Sequence, residues 1–316
     1  MSSLDSTVKN PLQIVASAFR YLMAPFYPSE WKKSALEIKT TTPEKIKNVT
    51  IKVGLYYVLF SPLVAMPFYN TCIFHPYVCG DYQLSEIAGV KKQDAFFSSK
   101  SSTRLHGWYF EKPNAKKTIL VSHGNAGNLT HRNDLVKLLL ESGASVFIYD
   151  YSGFGLSKGS PTVDGCCDDT IAAYDYLVKE KKIPAKHILL YGESIGTAFT
   201  CQLAAKRPSA GVILQSAFQS LPQIAGEKMP LFRVYPPSIF PVNQLDSLAY
   251  VKGEHPPLLL IHGLQDSLIP AHNADDLFNA ASGEKYIVRL PKAGHNDVPY
   301  NVTYECMVAL NRFCNE

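Results

Sequence analysis

The stretch that most restricts how this chain can fold is residues 187–199, HILLYGESIGTAF. Ile188–Tyr191 is a short apolar run of the kind that forms a buried strand, and it stops at Gly192. A helical pattern with Ala198, Phe199, Leu203 and Ala204 on one side begins just after Ser194. Between them lies Gly-Glu-Ser-Ile-Gly, a G-x-S-x-G match in a strand–turn–helix setting. A serine on so sharp a turn needs small neighbours where strand and helix nearly touch, and Gly192 and Gly196 meet that need. Its hydroxyl then stands at a helix N-terminus, where free amides can stabilise a developing oxyanion.

The five residues alone fit a plain Gly-Ser turn equally well. Their weight comes from residues further along the chain. A serine so placed expects an acid and then a histidine later in the sequence. Asp266 follows the apolar run Leu258–Ile261, and His295 follows Tyr286–Leu290. Both sit just past strand ends, where loops of an open α/β sheet carry function. The competing readings are a turn or cap aspartate for Asp266 and an exposed loop histidine for His295. Order and role together favour a Ser194–Asp266–His295 triad.

The rest of the chain supplies the scaffold. Asp94–Ser99 and Arg104–Phe110 read as opening strands, followed by Thr118–Ser122, Ser145–Tyr149, Ile188–Tyr191, Gly211–Gln215, Leu258–Ile261 and Tyr286–Leu290. Helical patterns fill 131–142, 165–181, 195–206, 272–281 and 299–314. This alternation specifies an α/β fold, a mostly parallel central sheet with helices on both faces, over residues 81–316. With 316 residues and 46% hydrophobic content the chain can bury such a core. The net charge of +4, without basic runs interleaved with aromatics, argues against nucleic acid as a partner. The seven cysteines show no zinc-ligand spacing, and neither a metal nor another cofactor is expected. Cys72 and Cys79 can form one bridge or be lipidated, although plain thiols are the simpler reading.

Three loops at strand ends carry further motifs. In Ser122–Asn128, SHGNAGN, the amide of Asn125 can join that of Ile195 as a two-donor oxyanion hole, with His123 and Gly124 as supports. No phosphate-loop pattern is present, and His123 reads as a structural histidine bonded to its loop. Asp150, in DYSGFGLS, precedes the serine and reads as a tie for backbone amides. Asp297 is a backup acid poorly placed to reach His295, and Glu193 is expected to bond near its own turn.

Residues 1–80 differ from the rest and read as an extension. Leu12–Tyr27 is apolar and aromatic, Trp31–Lys47 is lysine-rich, and Val53–Phe74 is an uncharged stretch long enough to cross a bilayer. Pro62 and Pro67 weaken a full span, and the alternative is a segment packed on the domain or lying in one leaflet. More lysines precede the segment than come after it, so a spanning segment would place the large domain on the non-cytoplasmic side.

Taken together, HGNAGN, DYSGFGLSKG, GESIG, GLQDSLIP and AGHND resemble the α/β-hydrolase superfamily, and more closely its membrane-anchored ABHD-type serine hydrolases. The resemblance covers about 85–316 and implies Ser194 as nucleophile, Asp266 as acid and His295 as base, behind a membrane anchor. Two positions depart from it. Ser152 stands where relatives often carry Arg, which puts a salt bridge from that loop in doubt, and Thr197 stands where Gly is common.

Residues 216–254 fill the usual place of a lid in such a fold, here small and apolar, with Leu221, Ile224, Met229, Leu231, Phe232, Tyr235, Ile239 and Phe240. An apolar lid beside a membrane segment points to lipid-like esters or thioesters: lysophospholipids, monoacylglycerols or acyl-proteins. At least half of those side chains are expected to pack on the core instead. The alternatives are a short-chain carboxylesterase, a peptidase, or a catalytically silent interaction module on the same fold. Sequons at Asn48, Asn128 and Asn301 matter only in a secretory compartment, and Asn128 lies too near the oxyanion loop to suit a sugar.

Overall fold

The computed structural model describes residues 43–61, 70–240 and 245–315. The expected features at Leu12–Tyr27 and most of Trp31–Lys47 lie outside these residues, as do residues 62–69 of the apolar stretch.

A nine-stranded sheet forms the centre. Its strands are β1 (Glu86–Ile87), β2 (Val90–Ser98), β3 (Arg104–Phe110), β4 (Thr118–Ser122), β5 (Ser145–Asp150), β6 (Ile188–Glu193), β7 (Gly211–Gln215), β8 (Leu258–Gly263) and β9 (Lys285–Leu290). The order across the sheet is β1-β2-β3-β5-β4-β6-β7-β8-β9. The pairings made by β1, β2 and β3 are antiparallel, and those among β4 to β9 are all parallel. The expected strands all form, with β2 starting four residues earlier, at Val90, than the alternation suggested.

Side-chain alternation divides the core into two layers. Val212, Leu214, Leu258 and Leu260 point to one face, where α3 (Val163–Lys179), α4 (Ile195–Ala204), α6 (Ser247–Lys252) and α7 (His272–Ala280) pack. Ile213, Leu259 and Ile261 point to the other, beneath α2 (Asn133–Glu141) and α8 (Tyr304–Asn315). Both faces are covered, which is why the parallel strands are unbroken apolar runs. The last helix starts at Tyr304 rather than near 299, because Pro299 sits in a short 3-10 turn over Val298–Tyr300.

The segment 216–254 holds α5 (Leu221–Lys228), two 3-10 turns and α6. Its apolar residues turn largely inward: Leu221, Tyr235 and Phe240 are buried, Ile224, Phe232 and Ile239 half-buried, and Met229 is exposed.

Upstream, α1 (Pro43–Leu59) ends before Pro62, and no helix among the described residues is long and apolar enough to cross a membrane. Its side chains at Val49, Ile51, Leu55, Tyr56, Val58 and Leu59 are exposed. Tyr57 packs on Tyr235, with ring centroids 4.6 Å apart, and Tyr235 donates its hydroxyl to the Tyr57 carbonyl at 2.9 Å. No disulfide joins Cys72 and Cys79.

Asp169 on α3 is buried, and its carboxylate accepts the Ser152 amide at 2.8 Å. Burial pushes its pKa up from 3.8 to about 6, with the Ser152 amide and hydroxyl only partly opposing it. The folded chain thus holds this proton more tightly than the unfolded chain. Its contribution to stability is greatest below about pH 4 and falls, by roughly 3 kcal/mol, as pH rises through 6. Asp169→Asn removes this dependence, so in urea unfolding the variant should gain on the parent chain between pH 4 and pH 7.

Candidate active site

The site begins with a backbone conflict. Ser194 joins β6 directly to α4 at φ 55° and ψ −122°, a conformation unfavourable for any residue with a Cβ. Its amide donates to the Gln215 carbonyl at 2.9 Å, and the Thr197 hydroxyl and amide both donate to its carbonyl, at 2.6 and 2.9 Å. Thr197 thus does more than replace a small residue, since it ties the elbow from inside the helix. A Cβ on Gly196 would lie 2.0 Å from the Ser122 carbonyl oxygen, and one on Gly192 would lie 2.5 Å from Thr197 Cα. Only glycine fits at either place.

Ser194 Oγ lies 3.0 Å from His295 Nε2, and His295 Nδ1 lies 2.7 Å from Asp266 Oδ2. The carboxylate can only accept, so Nδ1 carries the proton and Nε2 is left to accept from the serine. The other oxygen, Oδ1, accepts the amides of Leu268 and Ile269 at 2.9 and 2.7 Å. Burial by itself would raise the Asp266 pKa. The His295 hydrogen bond, the Ile269 amide and the nearby His295 and His262 rings outweigh it and hold the group below the usual carboxylate range. Asp266 is thus ionised wherever an imidazole titrates. The acid and histidine loops also touch, for Gln265 donates its amide to the Ala293 carbonyl at 2.9 Å. A Cβ on Gly263 would lie 2.3 Å from that same oxygen, a glycine requirement that no sequence motif singles out.

Asp297 takes no part in the hydrogen-bonded chain. Its Oδ1 accepts the Gly294 amide at 2.6 Å and so shapes the turn that presents His295. Glu193 is engaged beyond its own turn, with Oε2 accepting Arg132 Nε at 2.8 Å and the Gly124 amide at 3.2 Å. Burial opposes its ionisation, but the Arg132 guanidinium outweighs it and keeps the pKa low. Nothing in the sequence neighbourhood of Arg132 marks it as the partner of a glutamate 61 residues away.

The loop after β4 runs beside the serine, and a Cβ on Gly124 would stand 3.5 Å from Ser194 Cβ. His123 is fully buried, with Nδ1 donating to the Gly124 carbonyl at 2.7 Å and Nε2 lying 3.3 Å from Asp150 Oδ1. Asp150 ties the Leu129 amide at 2.8 Å. Among the described residues the amides of Asn125 and Ile195 donate to no protein group, the latter being the first of α4, where helix amides lack internal partners. A cleft of about 310 Å³ is lined by Gly127, Arg132, Glu193, Gln215, Asn296 and Tyr300 among others, which include the chain neighbours of Ser194 and His295 but no triad residue. Two larger grooves, of about 790 and 810 Å³, lie among other residues and likewise contain no triad residue.

Known proteins resemble this chain in sequence and in fold. A family model described as serine aminopeptidase, S33 matches residues 113–254. Over 229 residues the chain is 31% identical to the uncharacterized protein Rv2307c of Mycobacterium tuberculosis, covering 71% of this chain and 79% of that one. It is 35% identical over 190 residues to the alpha/beta hydrolase domain-containing protein 17B of Xenopus tropicalis, covering 59% and 62%. Among solved structures, the esterase Pf2001 of Pyrococcus furiosus superposes with a TM-score of 0.63 at 18% identity, over 76% of this chain and 97% of that one. Carboxyl esterase 2 of Tuber melanosporum superposes with a TM-score of 0.58 at 15% identity, over 75% and 90%.

The close approach of α4 to β4 makes a stability prediction. Gly196→Ala drives a methyl into backbone and should destabilise the protein by about 3 kcal/mol or more, the upper range for overpacking. Gly54→Ala, on exposed α1 with nothing within 4 Å, should change thermal stability little, and melting curves of the two variants make the comparison.

Proposed function

The chain belongs to the α/β-hydrolase superfamily, and from that premise we propose that it is a serine hydrolase cleaving carboxylic ester or thioester bonds through an acyl-enzyme. The observation that carries this reading is the hydrogen-bonded chain from Asp266 through His295 to a serine held at a strained elbow. In the first step the Ser194 hydroxyl attacks the carbonyl carbon as its proton passes to His295 Nε2. Asp266 holds the ring tautomer and stabilises the imidazolium, and the amides of Asn125 and Ile195 receive the oxyanion. The tetrahedral intermediate collapses, His295 gives its proton to the departing alcohol or thiol, and the acyl group stays on Ser194. Water, deprotonated by the same histidine, then frees the acid and restores the hydroxyl.

On substrate class we favour lipid-like acyl groups at a membrane surface. Support comes from the exposed apolar side chains of α1 and the contact of Tyr57 with Tyr235 in the lid segment. The family description and the esterase neighbours keep two other reactions in view, peptide and short-chain ester hydrolysis. An aminopeptidase needs a carboxylate free to hold the substrate ammonium. Here Glu193 is paired with Arg132, Asp297 with its own turn and Asp266 with His295, which favours esters.

A fluorophosphonate probe should label the detergent-solubilised protein, and Ser194→Ala should abolish the label and lower kcat by at least about a thousandfold. Asp266→Asn should keep the fold yet lose about ten-thousandfold in kcat, because the ring then faces its neighbour in the wrong tautomer. Across p-nitrophenyl esters, rates rising toward long acyl chains fit the lipid-like class. Rates confined to short chains, or to aminoacyl anilides, reassign the substrate, and an unlabelled folded protein removes the hydrolase reading in favour of a silent interaction module.

A further inference from the structure

The segment that leads out of the apolar N-terminal stretch does not simply tether the domain. His75–Pro76 lies parallel to Ala126–Gly127, so residues of the extension pair with the loop that carries the Asn125 amide. The His75 amide donates to the Asn125 carbonyl at 2.8 Å, and the Tyr77 amide donates to the Gly127 carbonyl at 3.0 Å. In the other direction, Asn125 Nδ2 donates to the Ile73 carbonyl at 2.7 Å. Asn128 Nδ2 gives one hydrogen each to the carbonyls of Tyr77 and Cys79, at 2.8 and 2.7 Å. Between these contacts Phe74 is buried against Phe154 and against Phe199 of the helix that comes after Ser194.

These bonds matter because of how a peptide unit is built. The unit joining Gly124 to Asn125 is planar and trans, so its carbonyl and amide point in opposite directions. His123 Nδ1–H holds the Gly124 carbonyl at 2.7 Å on one side of the unit. On the other side, Ile73 and His75 take the side-chain amide and the carbonyl of Asn125. Among the described residues the backbone N–H of Asn125 donates to no protein group, and in the hydrolase reading it is the donor that meets the oxyanion. Without the side-chain tie the residue could turn about its own φ and swing this donor away. Errors of that size are costly, since an oxyanion donor acts only when it is fixed in advance at the position of the developing charge.

We infer that Asn125 is a positioning residue and that Ile73–Tyr77 is a working part of the active site: the extension aims the oxyanion-hole amide through the Asn125 side chain. The inference rests on the serine-hydrolase reading above and adds a role for a side chain and a segment to it.

The test uses the full-length protein, with turnover of p-nitrophenyl butyrate expressed per site titrated by fluorophosphonate. Asn125→Ala keeps the backbone amide and deletes only the tie. It should lower kcat per titrated site tenfold to a hundredfold, with KM within about threefold, a part of what loss of a whole oxyanion donor costs. Binding of a trifluoromethyl ketone, which forms the tetrahedral adduct on Ser194, should weaken by the same factor as kcat. Asn125→Asp, equal in shape but unable to donate to Ile73, should not rescue either quantity. His75→Pro removes the donor to Asn125 from the other partner, at an exposed residue already confined to extended backbone by Pro76, and should act in the same direction. A merely structural role would lower the number of titrated sites and the melting temperature while kcat per site and ketone affinity stayed at the parent values. That result overturns the inference and leaves the hydrolase reading standing, whereas a parent protein that the probe does not label overturns both.

Discussion

The carbonyl oxygen of Ser122 and the backbone of residue 196 approach so closely that no side chain can stand between them, and the rest of the site depends on that contact. Neighbouring strands β4 and β6 are in register at Ser122 and Gly192, so their ends finish together. The helix after β6 therefore starts directly against the loop after β4. This closeness forces Ser194 into its left-handed turn, at a cost of order 1–3 kcal/mol that the hydrogen bonds from Thr197 and to Gln215 help to offset. It also brings the loop at Gly124 beside Ser194, so that two separate strand ends meet at a single hydroxyl. Strain and function have the same origin here.

Three desolvated carboxylates show how a partner, rather than burial, decides charge. Asp266 and Glu193 are both desolvated, yet each is held below the ordinary range, one by a histidine ring and amides, the other by a guanidinium. Asp169 accepts from Ser152 but faces no such cation and rises to about 6. The difference matters for chemistry. Asp266 keeps its charge beside the His295 ring, and Glu193 is satisfied by Arg132. Ser152 offers Asp169 an amide and a hydroxyl, neutral donors that leave the carboxyl without a cation to hold its charge.

Much of this is legible in the residues alone. Strand periodicity locates the parallel strands to within a residue or two, because their core residues are locally encoded. Ser194, Asp266 and His295 are legible because each lies at a strand end and in a fixed order, and they are brought into one hydrogen-bonded chain. The illegible part depends on contacts between segments distant in sequence. Arg132 with Glu193, Gly263 against Ala293, and Ile73 with Asn125 are each set by tertiary approach, and no local pattern announces them. The two-residue ladder at His75–Pro76 is too short to leave a period. The apolar residues of 216–254 illustrate the converse, since composition marks them as apolar but leaves open that most turn toward the protein.

The three sequons differ in what the folded chain permits. Asn48 is exposed on α1, whereas Asn128 is fully buried and spends both side-chain hydrogens on the carbonyls of Tyr77 and Cys79. A sugar on Asn128 removes one of those hydrogens and demands space that the closed loop lacks. The finished protein is therefore immune to modification there, but the nascent chain is not. In any compartment that glycosylates unfolded polypeptide, a sugar can reach this asparagine only while the loop is open. A molecule modified first can no longer seat its N-terminal segment. Burial of Asn128 thus makes the folded loop and a sugar at this sequon mutually exclusive.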